Sequence, residues 1–161
     1  MYMYAFLDDE LWQKVEKELL SWLGTPYRHY CGMKGRGADC MQFISSVALI
    51  TGILDKKAVF EYYPPDWHLH TQKELILESF ERNRKNLREG FDFIIFDYDK
   101  ETTLMRGDIL CFSVGVRVIN HTGIYIGGNK MIHAGDKIEI AELTDIWKRC
   151  LKKVIRLIKE V

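Results

Sequence analysis

Leu11, Val15, Leu19 and Trp22 recur at spacings of four, four and three among charged residues, the period of a helix with one apolar face. Asp8 and Asp9 offer an N-cap, and Gly24 followed by Pro26 offers a stop, so the pattern predicts a helix from Asp9 to Leu23. Tyr27 to Ala38 is glycine-rich and basic and reads as loop. From Asp39 to Thr51, DCMQFISSVALIT is almost devoid of charge, which suits a helix buried on most of its circumference and stopped at Gly52. Leu54 to Thr71 reads as irregular. Thr71 to Leu87 reads as helix, with Gly90 beyond it.

The period then changes. Phe93–Phe96, Asp108–Phe112, Val118–Ile126, Lys130–His133 and Val154–Ile158 are short β-prone runs separated by turn residues. Helices first and strands afterwards predict an α+β fold, with N-terminal helices packed against a C-terminal antiparallel sheet. No repeat or linker divides residues 1–161, so a single domain is expected.

Composition narrows the function classes. Forty-seven per cent of the chain is apolar and 29% charged, which excludes a disordered chain. Lysine plus arginine and aspartate plus glutamate number 23 each, so no net field draws the molecule to nucleic acid. No apolar run reaches the ~18 residues of a membrane span. The acidic start, Met1 to Glu10, is unlike a signal peptide, so the expectation is synthesis in the cytoplasm. The four cysteines form no CxxC pair, and only His29 and Cys31 approach zinc-ligand spacing, so neither a disulfide framework nor a metal site is expected.

Cys40 follows Asp39 at the start of the uncharged helix. A helix start presents unpaired amide hydrogens and partial positive charge, both of which favour an anion. The expectation is a lowered thiol pKa and selective labelling by iodoacetamide at pH 6. A nucleophilic cysteine needs a base. His121 in VINHTGIYIGG and His133 in MIHAG are both odd-numbered on successive strands. With a three-residue Gly127-Gly128-Asn129 turn both imidazoles share a face as diagonal neighbours, whereas a two-residue turn puts them on opposite faces. His121 then takes the thiol proton and His133 orients it.

The segments GTPYRHYCGMKGRGADC, GDILCF and HTGIYIGGNKMIHAG resemble the NlpC-type cell-wall cysteine peptidases, a papain-like superfamily. GTPYRH…GADC followed by YYPPDW is most similar to the branch carried by bacteriophages and gene-transfer particles. The resemblance implies a papain-like fold, Cys40 as nucleophile, His121 as base and His133 as orienting residue. It also places Tyr27 beside the cysteine to help the Cys40 amide hold an oxyanion or to contact substrate. Asp39 and Gln42 join it as oxyanion or substrate-binding candidates. The implied reaction cuts the γ-D-glutamyl–diamino acid bond of a peptidoglycan stem peptide through an acyl-thioester, without metal or cofactor. The implied partners are proteins of a phage-like particle or tail, and the implied place of action is the cell wall. Met41 and Gln42 stand where the family usually has a small residue and glycine, which puts substrate identity in question.

Two other readings keep the fold. One is a non-catalytic structural or binding component of a particle; the other is a thiol acyltransferase or amidase acting on a non-wall substrate. Asp108 is expected to organise the turn before its strand, and His68 and His70 to be exposed loop histidines. The basic tail WKRCLKKVIRLIKEV is expected to be a solvated rim around a final strand. Tyr62, Tyr63 and Trp67 either line a groove or pack the irregular segment.

Overall fold

In the computed structural model, which describes residues 1–161, both expected helix caps form. A three-residue strand β1 (Tyr2–Tyr4) precedes α1 (Asp9–Ser21). The carboxylate of Asp8 accepts a hydrogen bond from the Leu11 amide at 3.1 Å, satisfying one of the free amides of α1's first turn. The loop after α1 contains a small ribbon, β2 (Gly32–Met33) against β3 (Gly37–Ala38). It leads into α2 (Cys40–Ile50), where the Asp39 carboxylate accepts from the Gln42 amide at 2.8 Å. Met41, Phe43, Ile44 and Val47 of α2 are buried, and Phe43 packs on Trp22 with ring centroids 5.5 Å apart. Burying each large apolar side chain contributes roughly 1.5–3 kcal/mol, so α2 is anchored across the middle of the core.

The third helix is shorter than its periodicity predicts. α3 runs Leu75–Asn83, and a single tighter turn, Arg84–Asn86, follows. Two side chains explain the ends. Glu74 turns its carboxylate to the Ile119 amide, and Asn83 pairs with both main-chain groups of Val59 and accepts from the Asn86 side chain. These partners lie in other segments and override local propensity.

The remaining strands are β4 (Phe91–Asp97), β5 (Ile109–Phe112), β6 (His121–Gly127), β7 (Lys130–Ala134), β8 (Ile138–Glu142) and, after the short helix α4 (Asp145–Cys150), β9 (Leu151–Glu160). All sheet pairings are antiparallel, in the order β1-β9-β5-β6-β7-β8, with β4 on the other edge of β9. The expected α+β class therefore stands: helices on an antiparallel sheet. The basic tail is a helix turn followed by the expected final strand, which is longer than its β-prone run and flanked on both edges.

Asp108 behaves as its turn position suggests. It is fully buried, accepts from the Met105 amide at 2.7 Å, and receives two hydrogen bonds from the Arg156 guanidinium at 2.8 and 2.7 Å. It thereby ties the turn before β5 to β9.

The β6–β7 hairpin departs from expectation. Its turn has two residues, Gly128 and Asn129, both at φ of 60°, as a type I′ turn requires. The pairing Gly123↔His133 and Tyr125↔Met131 nevertheless keeps odd residues opposite odd ones, because a bulge between Tyr125 and Gly127 inserts one extra residue. Gly127, at φ of 91°, supplies the left-handed conformation that such a bulge needs.

Candidate active site

Bulge and turn together place His121 and His133 diagonally on one face of the sheet, with 2.8 Å between His121 Nε2 and His133 Nδ1. Gly123 permits this approach. A Cβ there would lie 2.7 Å from Met131 Sδ and 3.3 Å from His133 Cβ. His133 is 5% exposed, and its Nε2 lies 3.9 Å from the Glu139 carboxylate on β8. That carboxylate favours a proton on His133 Nε2, leaving Nδ1 to accept from His121 Nε2–H. His121 Nδ1 is then the unprotonated nitrogen, the form a general base requires.

The imidazoles sit among aromatic rings. Trp147 on α4 stacks on His121 with centroids 5.7 Å apart, and Phe112 flanks His121 at 6.0 Å. Trp147 also meets His133 edge-on at 5.4 Å. The Thr144 hydroxyl caps α4 by accepting from the Trp147 amide, and so sets the indole over the pair. Burial and the neighbouring His133 push His121 down to about 3, and burial lowers His133 as well. Both rings are neutral at physiological pH.

Cys40 is the first residue of α2, where its own amide and that of Met41 have no carbonyl partner within the helix. Its thiol lies beside Thr122 of β6 and the Met41 amide, both of which favour the thiolate. No hydrogen bond joins Cys40 to His121. Burial pushes the thiol up to about 11, with the Asp39 charge adding to the rise. The expected lowering is therefore overturned: desolvation and a neighbouring carboxylate outweigh the helix terminus. In this conformation the site is a neutral thiol and a neutral imidazole.

Cys40, Tyr27 and Asp39 line a cavity of about 370 Å³ together with Tyr62, Tyr63 and Trp67. The aromatic residues of the irregular segment thus form a wall of the groove. Asn120 reaches this cavity, whereas His121 and His133 do not line it. Tyr27 is half exposed, held by its amide to the Asp136 carbonyl at 2.8 Å. The Asp39 carboxylate has three donors of its own: the Gln42 amide, the Tyr30 amide at 2.9 Å and the Tyr63 hydroxyl at 2.5 Å. It thus lines the cavity with both oxygens already engaged by the chain's own donors. Gln42 lies outside the cavity lining, beside the Tyr63 hydroxyl and under Gly32, where an added Cβ would come within 3.1 Å of Gln42 Cβ.

Four neighbours of the candidate residues escaped the sequence reading: Thr122, Tyr63 as a partner of Asp39, Glu139 and Trp147. Thr122 carries the clearest signal, a polar residue in an even-numbered row with Ile124 and Ile126. His68 joins the lining of the Cys40 cavity, whereas His70 stays outside it and its Nε2 pairs with Asp66 at 2.8 Å.

A cysteine heading a core helix, against an antiparallel sheet that carries a histidine pair, defines the papain-like class. Residues 24–156 match the NlpC/P60 family, and the chain belongs to it. The chain is similar in structure to a lipoprotein-like NLP/P60 family protein of Staphylococcus aureus subsp. aureus Mu50, with 24% identity and a TM-score of 0.56 over 89% of this chain and 40% of that one. It thus spans about two fifths of the staphylococcal protein. The NlpC/p60 domain of the peptidoglycan hydrolase SagA gives 16% identity and a TM-score of 0.52, covering 89% of this chain and 97% of that domain. RipD of Mycobacterium tuberculosis, described as a non-catalytic NlpC/p60 domain protein adapted to peptidoglycan binding, gives 12% identity and a TM-score of 0.53 over 91% and 95%. At these identities the likenesses show the fold. No curated protein matched the sequence significantly.

Proposed function

We propose that the chain is a cysteine-dependent endopeptidase that hydrolyses peptidoglycan stem peptides at the γ-D-glutamyl–diamino acid bond. The observation that carries this reading is the 2.8 Å contact between His121 and His133, which leaves His121 Nδ1 free as a base on β6, the strand whose Thr122 lies beside the Cys40 thiol. Family membership and the likeness to the SagA domain support the substrate class. The Cys40 thiol turns toward His121 and gives its proton to Nδ1 as sulfur bonds to the amide carbon. The Cys40 amide and the Tyr27 hydroxyl receive the oxyanion. The C–N bond breaks, His121 returns the proton to the leaving amine, and water activated by His121 hydrolyses the thioester. A phage-type particle as the setting, and the cell wall as the place of action, rest on the loop wording of Gly24 to Cys40 and on YYPPDW.

Mass analysis of peptides released from purified peptidoglycan tests the proposal. Wild-type protein releases peptides cut at that bond, and Cys40→Ala releases none. A second reading, a peptidoglycan-binding domain without turnover, draws on the raised thiol and the missing Cys40–His121 hydrogen bond. Saturable binding to every wall type with no release, by wild type and Cys40→Ala alike, would establish it instead.

A further inference from the structure

We infer that the Thr122 hydroxyl is a positioning partner of the Cys40 sulfur, donating a hydrogen bond to the thiolate as it forms. The inference rests on Cys40 being the nucleophile. Thr122 is 1% exposed, and its Oγ1 is buried without a hydrogen-bond partner. Native interiors rarely leave a hydroxyl in that state, and each case asks for a reason. The thiol supplies one. Thr122 pairs with Cys111 across β5 and β6 and shares its face with Ile124, which packs in the same core cluster as Phe43 and Ile44 of α2. Cys40 packs against that cluster, so the hydroxyl and the thiol meet where α2 begins.

The surroundings make this donor matter. The titratable groups facing Cys40 are Asp39 at its own helix cap, Tyr27 from the loop before β2, Tyr63 from the irregular segment and Cys111 from β5. Each is neutral or negative, and none stabilises a thiolate by charge. His121, on the strand of Thr122 itself, is neutral and unbonded to the thiol. Donors to the sulfur reduce to the Met41 and Thr122 backbone amides, which every Thr122 variant keeps, and the Thr122 hydroxyl, which only the substitution removes. A hydroxyl rotates freely, so Oγ1–H can turn to sulfur when the thiol ionises and need not be satisfied before then.

Iodoacetamide kinetics at Cys40, read by peptide mass mapping from pH 7 upward, test the inference without any peptidoglycan. Thr122→Val keeps the shape and removes the donor; Thr122→Ser keeps the donor. Valine is expected to raise the midpoint of the alkylation profile by about one pH unit, so labelling at pH 8 slows about tenfold. Serine is expected to stay within about twofold of wild type, and Thr122→Ala to slow as valine does. The melting temperature of the valine variant should equal or exceed that of wild type, because an unpaired buried hydroxyl is lost. Labelling of the valine variant at the wild-type rate, or equal slowing of serine and valine, would overturn the inference. Those outcomes leave the proposed reaction standing, and failure of wild type to release wall peptides leaves the labelling comparison intact.

Discussion

The Tyr63 hydroxyl donates to the same Asp39 carboxylate that caps the helix of Cys40, at 2.5 Å. Tyr63 also accepts at its carbonyl from the His29 side chain, 2.6 Å from Nε2, so the irregular segment is strapped to the site at two points. Tyr63→Phe removes one strap. A hydrogen bond to a charged group is worth roughly 1.5–3 kcal/mol, and partial exposure places this one at about 1 kcal/mol. Denaturant melts should show that loss, and limited proteolysis should cut between residues 58 and 71 faster than in wild type.

His133→Ala removes the partner that fixes the His121 tautomer. Peptide release should fall about a hundredfold or more, within the 10²–10⁴-fold range of general acid–base assistance. Glu139→Gln should cost less than about fivefold, since its side chain is 42% exposed and lies 3.9 Å from His133. Steady-state peptide release separates the two.

Stability should depend on pH in two windows. The folded-state pKa of His121 is depressed to about 3 from an ordinary 6.5, so between those values the unfolded chain binds more protons. Stability is complete above about pH 6.5 and is lost as pH falls, with His133 adding to the same trend. The Cys40 thiol is raised from 9.0 to about 11, so its contribution is lost as pH climbs through that interval. At roughly 1.4 kcal/mol per pKa unit, the acid window amounts to a few kcal/mol. Urea titrations from pH 4 to pH 8 on wild type and His121→Gln should show a shallower acid slope in the variant.

The raised thiol governs labelling. At pH 6 Cys40 should react slowly with iodoacetamide, its rate rising toward pH 11, whereas a preformed thiolate would react at full rate from pH 6.

Asp108→Ala strands the Arg156 guanidinium beside a vacated buried site. Breaking such a pair costs about 3–5 kcal/mol. Denaturant unfolding should register that loss, with peptide release per folded molecule unchanged, because Asp108 touches none of the groups around Cys40.

Much of this architecture is legible locally. The caps at Asp8 and Asp39, the apolar stripe of α1 and the uncharged run of α2 each lie within a few residues of the structure they produce. The shared face of His121 and His133 follows from parity, although the turn that secures it differs: two residues plus a bulge replace three. The thiol's environment is not legible, because the groups around Cys40, Tyr63, Cys111 and Thr122, arrive from some 20 to 80 residues away in the chain. Trp147 was hidden for a similar reason. Within a basic tail it reads as surface, and only the cap at Thr144 turns it inward over His121.

The strand synthesised last of those described, β9, is the common neighbour of β1, β4 and β5. On a ribosome, residues 2–4, 91–97 and 109–112 therefore wait as unmatched edges until residues 151–160 emerge. The histidine hairpin, which hangs on β5, has no completed platform before then. The order of translation thus keeps Cys40 and the histidine pair without their finished sheet until residues 151–160 have been made.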